Sequence, residues 1–155
     1  MSRPTSLLFL FSLLLFSLNT VKAQEATEDH KDSLNNLVQR YYALNVKVFQ
    51  SKSTIKDIDN IFALFTSDFV YIHPKYGGTY TREDLYNGYI RNQKNGGYDG
   101  SVADIKIENQ ITGLNGVTVQ KRFINKSENG TEEGKLQMTL FEFTDGKISK
   151  IFEYW

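Results

Sequence analysis

The chain has 155 residues, 18 basic and 18 acidic side chains, and no cysteine. That length carries one domain with a real core. The charge balance removes nucleic acid as a partner, and without cysteine there are no disulfides or thiolate metal sites, so the fold must hold by its core.

The first residues read as a leader. Arg3 is a positive start, Leu7–Leu18 (LLFLFSLLLFSL) is an apolar run too short to span a bilayer comfortably, and Val21-Lys22-Ala23 offers small residues for cleavage before Gln24. The alternative is an uncleaved N-terminal anchor. Removing Met1–Ala23 takes away Arg3 and Lys22 and no acid, leaving 16 basic against 18 acidic side chains. A cysteine-free exported chain fits a bacterial periplasm or the exterior, with no membrane contact after cleavage. Residues 24–32 read as a flexible lead-in and 33–155 as one domain.

Apolar residues then recur at helical spacing: Leu34, Leu37, Val38, Tyr41, Leu44, Val48. Thr54 and Asp57 resemble a capping box and open a second helix with Ile55, Ile58, Ile61, Phe62 and Phe65 on its stripe. Asp68 closes that helix. FVYIHP is a short strand ended by Pro74, which cannot donate to a ladder, and Gly77-Gly78 marks a turn. A third helix opens at Thr81, carries Leu85, Tyr86, Tyr89 and Ile90, and ends at Asn95-Gly96-Gly97.

From there the pattern is strand. Ser101–Ile111 alternates, with Ala103, Ile105, Ile107 and Ile111 on one face. Asn115-Gly116 is a hairpin signal, Val117–Ile124 returns, NKSENGTEEG is a polar loop, and Lys135–Phe143 and Lys147–Trp155 flank a tight turn at Asp145-Gly146. Helices followed by an antiparallel meander predict an α+β fold, three N-terminal helices on a curved, mostly antiparallel sheet. If Asp145-Gly146 is the whole loop, Met138 faces Glu153 and Leu136 faces Trp155. Leu136, Met138, Leu140, Ile151, Glu153 and Trp155 then share one face, and Phe141, Phe143, Ile148, Phe152 and Tyr154 the other. Both faces are apolar, so one covers the helices and the other meets a partner, most simply a second copy of the chain.

RYYAL (Arg40–Leu44), DIDNIFALFTSDFVYIHP (Asp57–Pro74) and FTDGKISKIFEYW (Phe143–Trp155), in that order, resemble the nuclear transport factor 2-like superfamily, which includes the SnoaL-like polyketide cyclases and the ketosteroid isomerases. The resemblance covers most of the mature chain and implies a cone-shaped α+β barrel, in which a curved sheet wraps a long helix and leaves a pocket at its open end. In the ketosteroid isomerases an acidic base precedes the proline that ends the first strand, and His73 stands there. Tyr41 resembles the first-helix tyrosine that donates to the oxyanion. Leu136 occupies the place of the protonated aspartate, and Trp155 matches an aromatic that lines the pocket. The catalytic set is therefore incomplete, and steroid isomerisation does not follow. The resemblance turns the Leu136/Trp155 face inward and leaves Phe141, Phe143, Phe152 and Tyr154 for a homodimer contact.

For His73 three roles are open: general base, pocket lining without chemistry, or a strand-end polar residue. Glu153 is either a buried acid paired with His73, Arg122 or a ligand, or a wet carboxylate at the rim, where Glu142 also belongs. Tyr71 and Tyr89 read as core aromatics with a polar tip. With His30 in the lead-in, a lone histidine gives no transition-metal site, and no cofactor motif is present. Two functions are expected. The first is an exported domain binding a small apolar or aromatic molecule in a pocket of Tyr41, His73, Leu136, Met138, Glu153 and Trp155. The alternative is a cofactor-independent isomerase, cyclase or lyase using His73 as base and Tyr41 as oxyanion donor.

Overall fold

The computed structural model describes residues 25–155; the leader expected over 1–23 lies outside them. Helix α1 (Glu28–Val48) starts inside the expected lead-in. Its entry is set by polar chemistry: the Thr27 side chain caps the His30 N–H, and Glu28 and Asp29 sit at the positive end of the helix dipole. This first turn buries nothing, so apolar spacing did not reveal it. Leu34, Val38, Tyr41, Tyr42, Asn45 and Val48 form the buried stripe.

Helix α2 (Ile55–Phe62) opens on the expected box, with Thr54 N–H donating to Asp57 at 2.9 Å. Asp57 also meets Lys47 at 2.7 Å, which ties the two helices together and is the main cause of its lowered carboxyl pKa. Ile55 is exposed, not on the buried stripe. The helix ends earlier than expected, and β1 (Phe65–His73) already contains Phe65 and Asp68. A register shift lies between Phe65 and Val70, and the Phe65 and Phe69 rings stack at 3.9 Å. Residues 61, 62, 65 and 69 fit a helical stripe as well as a bulged strand, so periodicity alone misassigned Phe65.

A short 3-10 turn (Pro74–Tyr76) leads into β2 (Gly78–Thr81), which pairs antiparallel with β1. Gly77 and Gly78 have φ of 107° and 116°, a region closed to most side chains. Helix α3 (Arg82–Lys94) opens on the Thr81–Asp84 box. β3 (Val102–Thr112) and β4 (Gly116–Ser127) form a hairpin, and the expected NKSENGTEEG loop contains a second, to β5 (Gly130–Glu133). β6 (Gln137–Thr144) and β7 (Lys147–Glu153) complete a sheet ordered β2-β1-β7-β6-β4-β3, with β5 on β4. β1 and β7 run parallel and every other pair is antiparallel. The cone is thus an open curved sheet, ended by β2 and β3.

Thr144 pairs with Lys147 as expected, but Ser149 is an extra residue on β7. Beyond it the register moves by one: Phe141 pairs with Ile151, Leu140 with Phe152 and Thr139 with Glu153. The inner face is therefore Thr139, Phe141, Phe143, Ile148, Ile151 and Glu153, all buried. Phe141 and Phe143 are core residues rather than partner contacts, and Phe141 packs edge-on against Tyr41 and Tyr42 of α1 at 5.4 and 5.7 Å. Leu136, Met138 and Tyr154 are exposed. In β3 a shift between Ile107 and Asn109 likewise turns Ile111 outward, while Gln110 and Thr112 reach Asn35 of α1.

The register has a direct energetic consequence. Phe141→Ala should cost about 3–5 kcal/mol as a buried aromatic truncation, and Met138→Ala about 0.5 kcal/mol or less as a surface change. Urea unfolding of the two variants checks this, and a reversed order would restore the unbulged register.

Candidate functional site

The inner face of β4 carries Val117, Val119 and then Lys121, each at most 2% exposed. Strand alternation forces this, since residues two apart share a face. The Lys121 ammonium lies 3.1 Å from Glu153 Oε2 and donates to Thr139 Oγ1 at 2.9 Å. The Thr139 hydroxyl donates to Glu153 Oε2 at 2.7 Å, and the Trp155 indole N–H donates to the same oxygen at 2.6 Å. Burial lowers the Lys121 pKa, opposed by the attraction of Glu153. The partner of Glu153 is thus Lys121, not His73 or Arg122. Three donors converge on its Oε2 and Lys121 faces its Oε1 at 3.4 Å, so the carboxylate is occupied and is no free base.

Trp155 carries this network to the mouth of the cone. Its ring stands edge-on to His73, centroids 4.6 Å apart, and Tyr76 meets both rings, 4.4 Å from His73 and 6.0 Å from Trp155, so the three form a triangle. His73 is 2% exposed, and neither ring nitrogen has a hydrogen-bond partner among the described residues. Burial, the largest cause, lowers its pKa, against a smaller upward pull from Glu153. The imidazole is therefore neutral at pH 7, with one N–H to give and one lone pair to receive.

His73 lines a cavity of about 370 Å³ between the β1–β2 hairpin and α3. Tyr71, Tyr76, Tyr80, Tyr89 and Tyr98 share its remaining wall with Leu85, Gly88 and four polar side chains, Asp84, Arg91, Asn92 and Asn95. The Tyr89 hydroxyl is held by Asn45 at 2.7 Å, and burial pushes the Tyr71 phenol upward, so it stays a neutral donor. Tyr41 does not line this cavity. It is buried among Tyr42, Phe65 and Phe141, and burial holds its phenol far above its usual range.

The other candidates separate. Met138 lies on the outer face. Leu136 and Trp155 share a second cleft, away from the tyrosines. Arg122 donates to the Gly134 carbonyl at 2.8 Å and meets Glu108, and Glu142 pairs with Lys150 at 2.7 Å. Among the described residues no three His, Asp or Glu side chains cluster as a metal site would require. Sequence reasoning missed Lys121 and Thr139, although the alternation Val117–Val119–Lys121 was a usable signal for the lysine. It also missed the tyrosine wall, which gathers residues from two strands, the turn and α3.

No family model matches the sequence, and no curated protein does either. The arrangement of elements does have close counterparts among solved structures. A protein from Catenulispora acidiphila described as having a ketosteroid isomerase-like fold, solved with trimethylamine, aligns with a TM-score of 0.53 at 16% identity over 77% of this chain and 84% of its own. A Mycobacterium tuberculosis LEH-like epoxide hydrolase gives 0.55 at 18% identity, covering 80% and 83%. A nuclear transport factor 2-like protein from Anabaena variabilis gives 0.55 at 13% identity, covering 85% and 94%. The chain has the nuclear transport factor 2-like fold. These likenesses concern the fold, which hosts both catalysts and proteins without assigned chemistry, so the site must speak for function.

The buried network gives a sharp energetic expectation. Glu153→Leu leaves Lys121 as an unpaired buried charge and should cost about 3–5 kcal/mol. Adding Lys121→Met should restore at least about half of that loss. A double-mutant cycle by urea unfolding measures the coupling; additive losses would mean the two side chains do not interact.

Proposed function

We propose that the chain is an exported small-molecule-binding domain whose ligand occupies the tyrosine-lined cavity and hydrogen-bonds to His73. The observation that carries this reading is a buried imidazole, lining a 370 Å³ cavity, whose two nitrogens have no partner among the described residues. Both nitrogens are shielded, so ligand entry turns the imidazole or moves a neighbouring ring to reach one. Leaving such a group unpaired costs about 1–3 kcal/mol, and a ligand polar group offsets that cost. Five tyrosines give the walls aromatic faces and phenols, and Asp84 and Arg91 bring one charge of each sign, so the matching ligand has an apolar or aromatic body, no net charge, and a carbonyl or hydroxyl.

The enzymatic reading has less support. His73 is neutral and would serve as a base, but Tyr41 sits in the core stack and offers no donor to the cavity. An isomerase, cyclase or lyase would need its oxyanion donor from the cavity's own phenols.

Cyclohexanone, a neutral carbonyl probe, tests the site. It should shift the backbone NMR signals of Tyr71, Gly88 and Tyr98, and His73→Phe should weaken it about fivefold, the loss of one hydrogen bond. Absence of these shifts, or indifference to the substitution, overturns the reading. The pH dependence has a defined sign. Between the lowered folded pKa of His73 and its ordinary value of about 6.5, the unfolded chain binds more protons. Stability contributed by His73 is therefore intact above about pH 6.5 and falls as the pH drops below it. His73→Phe should flatten that slope in urea unfolding.

Export rests on the Leu7–Leu18 run and the Val21-Lys22-Ala23 cleavage pattern. We also propose a homodimer through the outer sheet face, now without Phe141 and Phe143. Ile72, Phe152 and Leu140 form one cross-strand row there, beside exposed Met138 and the stacked pair Phe152–Tyr154. Native mass spectrometry should find a dimer of chains beginning at Gln24, and Met138→Glu/Phe152→Glu should leave monomer. A wild-type monomer sinks the dimer, and a chain that retains Met1–Ala23 sinks cleavage.

A further inference from the structure

A second cavity, of about 520 Å³, lies on the β4–β6 side of the cone mouth, and its chemistry differs from that of the tyrosine cavity. Its lining includes two aromatic rings, Phe123 and Trp155, two ammonium groups, Lys75 and Lys135, and two carboxamides, Asn125 and Gln137. No Asp or Glu side chain lines it among the described residues, and neither lysine forms a salt bridge among them.

Three features make this a built site. Trp155 is held in place, because its N–H is anchored on Glu153 at 2.6 Å and its ring abuts His73. A flat ligand meeting this ring loses little freedom on the protein side. A cation with no salt bridge among the described residues stands over the rings: the Lys75 ammonium lies 5.8 Å from the Trp155 centroid, whereas the Lys121 ammonium, 5.5 Å from Phe123 and 5.6 Å from Trp155, is already neutralised by Glu153. Finally, the Gln137 side-chain oxygen is buried without a partner. The oxygen is shielded, so a contact with a ligand needs the carboxamide to swing toward the cleft; once there it can donate to an anion or accept from a hydroxyl.

We propose that this cleft is a second ligand site and that it takes a flat organic anion, in the simplest case an aromatic carboxylate. The aromatic body stacks on Trp155 and Phe123, and the carboxylate meets Lys75 and Lys135. The wall of His73, Trp155 and Tyr76 separates it from the tyrosine cavity. The anion site stands whether or not the tyrosine cavity binds its own ligand.

The test uses 2-naphthoate and its neutral amide, 2-naphthamide, read by NMR on the whole protein. Trp155 is the only tryptophan, so its indole N–H signal is unambiguous. Naphthoate should move that signal and the backbone amides of Gly134 and Leu136, and naphthamide should bind at least about tenfold more weakly. Lys75→Ala/Lys135→Ala should weaken naphthoate by about tenfold or more and leave naphthamide unchanged. Both lysines are exposed, so the double variant should fold. Equal binding of acid and amide, or indifference to the double variant, overturns the proposal. So does a Trp155 signal unmoved by millimolar naphthoate, or shifts confined to Tyr71, Gly88 and Tyr98.

Discussion

The extra residue at Ser149 decides what this cone contains. With it, Ile148 and Ile151 both point inward although they are three apart, and Glu153 comes to lie opposite Thr139. Without it, Lys121 would be left buried with no counter-charge, and the same carboxylate would pair with Met138 on the outer, exposed face. The bulge instead delivers it to a hydroxyl, an ammonium and an indole N–H, which together saturate it.

That network links core and mouth. Lys121 and Glu153 anchor Trp155, Trp155 abuts His73, and His73 faces the tyrosine cavity. The chain of contacts explains why a histidine sits stably at a strand end with no partner of its own. Its ring packs into a corner made by Trp155 and Tyr76, and burial keeps it neutral. A buried ion pair is rarely a net source of stability compared with an apolar replacement. Its use here is positional: it sets the plane of the tryptophan that divides the mouth in two.

The two halves of that mouth differ by chemistry that no single strand encodes. The tyrosines come from β1, the turn, β2, α3 and the segment after it, and the lysine side from the turn, β4 and the approach to β6. Each residue taken alone is an ordinary surface or core residue, and only their convergence makes a site. The same convergence removed Tyr41 from candidacy, because α1 turns it onto Phe141 rather than toward the opening.

Local chemistry determined the elements. The three helices, their capping boxes, the hairpin turns and the α+β order were legible in caps, glycines and apolar spacing, because each depends on neighbours within a few residues. The resemblance in motif order carried the cone and the place of His73. What the sequence left undetermined turned on insertions of one residue and on long-range pairing. The shifts near Val70, Glu108 and Ser149 each exchange one strand face for the other; β6 and β7 carry apolar residues on both faces and so contain nothing to choose between them, and the clean alternation of β3 gives no sign of its own shift. Packing against α1 and the burial of Lys121 with Glu153 chose. These contacts join residues far apart in the chain, so only the tertiary structure decided which side chains line the cavities, which fill the core and which face outward.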